Sequence, residues 1–193
     1  MKQKLLHKLN KRQGFSLTEM LATVLIMGFV GIIITTGAAT VQRVYRKVVA
    51  HANAQTALTT TITLMKDQLA FADPESVGNG SETGTGFGNS QTIVFKNLNS
   101  GEQTITLNPG TANRGFTLTY TTGDGTGTNS TSLPLLSDSA ITSDLCVCFD
   151  TDGGFTWDPT TKVITVTNLV AKDTRTDTVQ ARASFKVLLV NDK

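Results

Sequence analysis

Glu19 is the residue whose position most needs a chemical explanation. It is a lone carboxylate directly before residues 20–39, a run of twenty residues without a charge. As a helix this run is about 30 Å long, the thickness of a bilayer's hydrocarbon core. An acidic side chain at the centre of such a helix costs on the order of 2.5 to 3.5 kcal/mol, and less near its end. Glu19 therefore calls for a cationic partner or a shallow position, unless it forms a capping box with Ser16.

A second group of candidate side chains is the carboxylates Asp150, Asp152 and Asp158, which surround Gly153 and Gly154. Hard oxygen ligands at alternate positions suit Ca²⁺, so these three residues are a candidate calcium site and Ca²⁺ is the one candidate cofactor. The segment fits no complete EF-hand pattern. A hairpin loop with solvated aspartates explains the same residues, and we favour that interpretation.

Cys146 and Cys148 are the two cysteines of the chain, and they flank Val147 on a predicted strand. Side chains two residues apart on a strand share a face but lie too far apart for an unstrained disulfide. We expect them to be small buried apolar residues. Pairing across a turn stays open for a protein outside the cell.

The composition excludes several functions. The 193 residues correspond to one modest domain plus a further segment, and their net charge of +2 provides no sustained basic face for nucleic acid. Two cysteines and two histidines cannot build a Cys/His zinc site. His51 is the only histidine beyond the basic N-terminal segment, and no local motif joins a nucleophile, a base and an orienting group. We therefore expect no enzymatic activity and no specific nucleic-acid partner.

The elements that must position Glu19 begin with a basic N-terminal segment. Residues 1–14 carry five lysines or arginines and no acid, and the uncharged run is followed by Arg43, Arg46 and Lys47. Because basic residues favour the cytoplasmic side, we predict a single membrane-spanning helix, residues 15–40, with its N-terminus in the cytoplasm.

The apolar pattern continues beyond this span at helical spacing, which is typical of a helix with one face against a partner. The residues of this stripe are Val41, Val44, Val48, Ala52, Leu58, Ile62, Met65 and Leu69. The ring of Pro74 then disfavours helical geometry at the preceding residue. One helix is thus predicted from about Phe15 to about Ala72, and residues 41–73 form its amphipathic half.

Residues 74–193 predict a globular head rich in turns and strands. Gly-, Ser- and Thr-rich segments predict loops at residues 76–90 and 121–132. Alternating runs predict strands at residues 92–96, 104–107, 116–121, 145–149, 163–169 and 179–190. Strands without intervening helices indicate an antiparallel sheet, whose apolar face the helix would cover. The predicted class is α+β, a long N-terminal helix packed on an antiparallel head.

Residues 8–40 resemble the prepilin-type cleavage and methylation signature of type IV pilins and the related pseudopilins. The features that carry the resemblance are the basic segment, the sequence GFSLTEML at residues 14–21 and the apolar run. The resemblance implies cleavage after Gly14 by a prepilin peptidase, so that residues 1–14 are a leader, and N-methylation of Phe15. It also implies that Glu19 pairs with the Phe15 amine of a neighbouring subunit. The family often has a proline in this helix, and none occurs between residues 15 and 72.

The function implied by the resemblance is structural. Subunits held in the cytoplasmic membrane by lipid contacts would be lifted by an ATP-driven system with a platform membrane protein into an extracellular filament of this chain and other pilins. Alternatives are a pseudopilin of a type II secretion or DNA-uptake apparatus and a membrane-tethered adhesin that never polymerises. A conventional signal peptide cleaved near Gly37 is disfavoured, because the apolar segment exceeds the usual 7 to 15 residues.

Overall fold

The computed structural model describes residues 16–81, 83–97, 103–109, 115–123, 128–136 and 145–190. Within these residues the class is α+β, as predicted. The elements are helix α1 (Leu17–Ala70), a 3-10 turn (Pro74–Ser76) and strands β1 (Phe87–Ser90), β2 (Ile93–Lys96), β3 (Thr104–Pro109), β4 (Phe116–Gly123), β5 (Thr128–Pro134), β6 (Leu145–Asp158), β7 (Val163–Asp173) and β8 (Thr178–Leu188). The chain forms two compact units, Met1–Val48 and Val49–Lys193.

The strands of the second unit form two antiparallel sheets. One has the order β1-β6-β7-β8 and the other β2-β3-β4-β5, and their buried residues join one apolar core. Within this core the ring of Phe116 lies 4.9 Å from that of Phe149 and 6.4 Å from that of Phe155, each edge to face. This arrangement is favourable for aromatic quadrupoles and holds β4 against β6.

The C-terminal part of α1 packs on this core. Its buried residues recur at intervals that keep them on one helix face, and they are Ala54, Ala57, Leu58, Thr61, Met65 and Leu69. The Thr61 hydroxyl is satisfied because it donates to the Ala57 carbonyl at 2.8 Å. Beyond the buried face, the Lys66 ammonium lies 5.4 Å from the centre of the Phe185 ring, a cation–π contact that adds to the attachment of α1 to β8.

The predicted apolar stripe begins too early. Leu58, Met65 and Leu69 are buried as predicted, whereas Val41 and Val44 are 68% and 56% exposed. Burial of α1 begins only at Ala54. The helical spacing of Val41 and Val44 thus predicted an apolar face, but spacing alone did not show that no described residue covers it. The helix ends near the predicted position, where the Asp73 carboxylate accepts a hydrogen bond from the Glu75 amide at 3.2 Å and caps the 3-10 turn.

Strand β1 lies within a segment predicted as a loop, and most of strand β5 does as well. Strand β5 is an edge strand whose residues 129–134 are all exposed, so it shows no apolar alternation that could indicate a strand. Strand β1 contains Gly88 and Asn89, which are weak strand formers. Its pairing with β6 joins Phe87 to Trp157 and Ser90 to Phe155, so long-range contacts rather than local preference specify it.

Strand β6 extends past its predicted end at Phe149 through a bulge. Phe149 pairs with Leu169 and Gly154 pairs with Thr167, so residues 150–153 lie opposite Asn168 alone. Such an insertion bends a strand and re-aims its side chains. The predicted hairpin loop is therefore a bulge inside a strand of fourteen residues.

Glycines 153 and 154 allow the backbone to approach its neighbours closely at this bulge. A Cβ on Gly153 would lie 2.8 Å from the Asn168 carbonyl oxygen, and a Cβ on Gly154 would lie 2.8 Å from the Ser90 carbonyl oxygen. Both neighbours are backbone atoms that cannot move aside without breaking strand pairing. Glycine is thus required here by space, and β1 docks on β6 through it.

We predict that Gly154→Ala destabilises the protein by about 1 to 3 kcal/mol, the usual cost of overpacking, because the new methyl group meets the β1 backbone. The measurement is thermal unfolding of the full chain in detergent. Gly88→Ala is the matched control, since a Cβ there has no neighbour within 4 Å among the described residues. Equal melting temperatures for the two variants would contradict the close approach of β1 to β6.

Candidate functional site

The candidate functional site is the N-terminal part of α1, which carries a continuous apolar surface. All described residues from 16 to 53 are exposed, among them Ile33 at 69% and Phe29 at 60%. Within the described chain, α1 is the one helix long and apolar enough to cross a membrane. Apolar patches of this size on soluble proteins mark interaction surfaces, so this surface calls for lipid or another protein around it.

The polar side chains within the uncharged stretch are adapted to an apolar environment. This uncharged stretch, counted from residue 20 to residue 42, contains four threonines. Each donates its hydroxyl proton to a helix carbonyl three or four residues earlier. The bonds run from Thr23 to Met20 at 2.8 Å, from Thr35 to Gly31 at 2.9 Å, from Thr36 to Ile32 at 2.9 Å and from Thr40 to Thr36 at 3.0 Å. Because a buried hydroxyl without a partner is costly, this internal bonding allows the helix to enter lipid or a protein core.

Glu19, which directly precedes the uncharged stretch, is a polar side chain that the helix does not satisfy internally. Its carboxylate makes no hydrogen bond or ion pair with any other described residue, while its amide donates to the Ser16 carbonyl at 2.9 Å. The first turn of α1 favours an acid through the helix dipole, but by only about 0.3 to 1 kcal/mol. That contribution is too small to offset transfer of the carboxylate into an apolar environment.

The capping box considered above is not formed. Ser16 Oγ lies 2.7 Å from Thr18 Oγ1, whereas a capping box would pair Ser16 Oγ with the Glu19 amide and the Glu19 carboxylate with the Ser16 amide. Neither of those side-chain bonds occurs among the described residues. Local helix capping therefore does not account for Glu19, which leaves a cationic partner from elsewhere or a shallow position in the membrane.

Charges bracket the apolar surface at both ends. Residues 20–42 contain no charge, and at 1.5 Å per residue these 23 residues are about 34 Å long. Arg43, Arg46 and Lys47 follow and are all exposed. The length between Glu19 and Arg43 matches a hydrocarbon core with the charged groups in the headgroup regions.

Three glycines mark places where another helix can approach α1 closely. A Cβ added to Gly28, Gly31 or Gly37 would meet no described atom within 4 Å apart from the neighbouring backbone of α1 itself. Small residues lower the height of a helix surface and favour helix association where the hydrophobic effect is absent. The helix continues through Gly37 without a break. The predicted cleavage and methylation residues Gly14 and Phe15 lie outside the described residues.

The three carboxylates of the candidate calcium site are not brought together. Asp150 forms an ion pair with Arg182, and Asp158 accepts hydrogen bonds from the Thr160 amide at 3.0 Å and the Thr161 hydroxyl at 2.7 Å. No group of three or more acidic, Cys or His side chains among the described residues is arranged to hold a metal. Calcium binding stays a prediction from sequence without support from this geometry.

Asp158 and Asp173 each stabilise a turn between strands. The Thr161 hydroxyl and the Thr160 amide hold the pKa of Asp158 below its usual range. The Arg175 amide, at 2.9 Å from Asp173 Oδ1, does the same for the pKa of Asp173. Asp150 and Asp158 of the sequence motif thus have structural partners, and sequence spacing alone did not distinguish such roles from metal binding.

Cys146 and Cys148 are half-buried rather than buried as predicted. They alternate with the buried Leu145 and Val147, so they lie on the outer face of β6. Neither is in a disulfide. The hydrogen bond that the Cys148 thiol donates to Cys146 raises the pKa of the Cys148 thiol above its ordinary range, with burial as the second cause.

Comparisons with known proteins found no matching family model, no matching curated protein and no matching solved structure.

We predict that Ile33→Arg lowers membrane retention of the full chain, because a central arginine costs on the order of 2.5 to 3.5 kcal/mol in a membrane helix. The measurement is the fraction of protein that resists carbonate extraction from membranes. Thr63→Arg is the control, since Thr63 is also exposed on α1 but outside the uncharged stretch. Equal retention of both variants would show that residue 33 is not in contact with lipid.

We also predict that acid destabilises the two turns. A carboxylate whose folded pKa is lowered contributes stability above its unfolded pKa of about 4, and this contribution is lost as pH falls through the folded pKa. The melting temperature should therefore fall between about pH 5 and pH 3, and fall less in Asp158→Asn/Asp173→Asn. Asp67→Asn, at an exposed helix position, should keep the full pH dependence. An unchanged pH profile in the double variant would contradict the capping roles.

Proposed function

We propose that the chain is a structural subunit of a type IV pilus-like filament, assembled through the N-terminal part of α1. The observation that carries the proposal is an exposed, uncharged helix surface with one carboxylate, Glu19, that has no partner among the described residues. Such a surface needs two properties from its surroundings, an apolar contact along its length and a cation at one end. Copies of the same processed helix provide both.

Before assembly the apolar surface is covered by lipid. The length of the uncharged stretch, its internally bonded threonines and the flanking charges support a single span of the cytoplasmic membrane. The excess of basic residues at positions 1–14 supports a cytoplasmic N-terminus. In this state Glu19 lies at the headgroup boundary, where water and lipid headgroups reduce the cost of its charge.

Processing by a prepilin peptidase would then create the cation that Glu19 needs. Cleavage after Gly14 exposes the amine of Phe15, four residues before Glu19. A carboxylate paired with an ammonium group is tolerated in an apolar core far better than a carboxylate alone. Because the amine and the carboxylate lie at fixed positions on each copy, their pairing between copies would also set the axial register of the subunits.

Within the filament, the helices would pack against one another where lipid had been. Gly28, Gly31 and Gly37 provide low points on the helix surface for close approach. The head would lie outside this helical core and carry whatever surface contacts the filament makes. An assembly platform in the membrane and other pilins are the partners that this arrangement requires.

Two related functions predict different behaviour of the same residues. A pseudopilin of a secretion or DNA-uptake apparatus would use the same helix and the same Glu19 pairing in a short filament. A membrane-tethered adhesin would keep lipid around the helix permanently. In a tether, a position of Glu19 among the lipid headgroups is enough to explain this residue. It does not explain why a basic segment without acids ends in Gly14 and is followed directly by Phe15.

We predict that Glu19→Leu leaves the protein inserted in the membrane but abolishes its recovery in sheared surface fractions, because the register-setting charge pair is lost. Asp67→Leu is the matched control, since it removes an exposed acid from the covered part of α1 and should leave filament yield unchanged. Normal yield from Glu19→Leu would remove the proposed role of this carboxylate.

We further predict that mass spectrometry of the mature protein finds Phe15 at the N-terminus, carrying one methyl group. The physical reason is that only a cleaved chain offers an amine next to the apolar segment. An N-terminus at Met1 in the functional protein would indicate the permanent tether instead.

A further inference from the structure

Strand β5 leaves one edge of its sheet open. At the end of its ladder with β4, the Leu135 amide donates to the carbonyl of the opposite residue, Phe116, at 2.8 Å. Because bonded and non-bonded pairs alternate along an antiparallel ladder, every second residue before Leu135 also bonds to β4. The backbone groups of the residues between them point away from β4, and no described strand lies on that side. These residues are Thr128, Ser130, Ser132 and Pro134.

Each of the other outer strands has a feature that hinders pairing with a further strand. Along β2, residues 73–78 of the same chain bond to the backbone of Val94 and Lys96. Strand β8 carries the exposed charges Arg182 and Lys186, and charged side chains protect an edge. Strand β1 is only four residues long, and its register is interrupted. Three of the four described edges are thus covered, charged or short.

Strand β5 has no such feature before Pro134. Residues 128–133 contain no charge and no proline, and residues 129–134 are all exposed. An edge of this kind is a template for another strand. Its small hydroxyl side chains can bond across a ladder, as Thr119 Oγ1 and Ser132 Oγ do at 2.8 Å between β4 and β5. The edge therefore suits an uncharged polar strand, and β5 itself has that composition.

We propose that β5 pairs antiparallel with β5 of a second copy of this chain, about a two-fold axis at Ser130. A two-fold contact uses the same surface on both copies. Ser130 then faces Ser130 of the second copy, and Thr128 faces Ser132. Each of these pairs exchanges both of its main-chain hydrogen bonds, so the two sheets that contain β5 join into one. The contact lies in the head and does not depend on α1 or on filament formation.

Pro134 selects this register. It has no amide proton, and its ring lies on the open edge of β5, where it would interrupt a ladder. An axis one or two residues further along would place Pro134 opposite Thr128 or Ser130 of the second copy. An axis one residue earlier would leave Ser132 without a partner in β5. With the axis at Ser130, Pro134 falls opposite residue 126, before β5 begins, and the ladder is complete.

The test is disulfide cross-linking of the full chain in detergent, with Cys146→Ser and Cys148→Ser removing the native thiols. The Cα atoms of a bonded antiparallel pair are about 5.5 Å apart, a separation that a disulfide spans without strain. Ser130→Cys in this background should therefore give a disulfide-linked dimer on mild oxidation. The reduced variant should keep its melting temperature, because the substitution is small and exposed. A Ser130→Cys chain that stays monomeric would overturn the proposal.

Ser132→Cys in the same background is the matched control. It places the same thiol at an exposed position on the same edge. In the proposed register the two copies of residue 132 are about 14 Å apart, because the axis at Ser130 separates them by four residues along the strand. This variant should therefore form no dimer.

Two further outcomes would overturn the proposal. Equal dimer yields from Ser130→Cys and Ser132→Cys would show that the thiols meet by collision within a micelle rather than in one register. A Ser130→Cys chain that cross-links on cells to a different protein, and not to its own copy, would assign the edge to that protein.

Discussion

The structure depends on how the chain covers its apolar residues. In the head, two sheets and the last part of α1 bury one another, and at about 25 cal/mol per Å² this burial is the main source of stability. The first part of α1 has no such cover within the described residues. The chain therefore folds one part of its apolar surface inward and leaves another part for its surroundings, and the change occurs within a single helix near Ala54.

Polar groups along α1 follow the same division. Threonines in the uncharged stretch bond to their own helix, so they make no demand on the environment. Glu19 cannot satisfy itself in this way, since an ionised carboxylate has no proton to donate to a helix carbonyl, and no described donor or cation pairs with it. A single charge without a described partner, in a helix whose threonines are satisfied internally, is thus the feature on which the proposed assembly role rests.

Much of this architecture could be predicted from sequence because it rests on local periodicity. The helix, its end before Pro74 and the strands β2, β3 and β7 follow from apolar spacing and turn residues. Strands β1 and β5 and the extension of β6 could not be predicted, since long-range pairing specifies them. Spacing also made Asp150, Asp152 and Asp158 a candidate calcium site, and it could not show that Asp150 pairs with Arg182 or that Asp158 caps a turn.

The most direct test of the account asks what covers residue 33 before and after assembly. A nitroxide label at Ile33→Cys, in a chain carrying Cys146→Ser and Cys148→Ser, reports collisions with oxygen dissolved in lipid and with a water-soluble nickel chelate. In membranes the account predicts collisions with oxygen only, and in sheared filaments it predicts collisions with neither, because other copies of the helix replace lipid. Frequent collisions with the nickel chelate in either sample would contradict it.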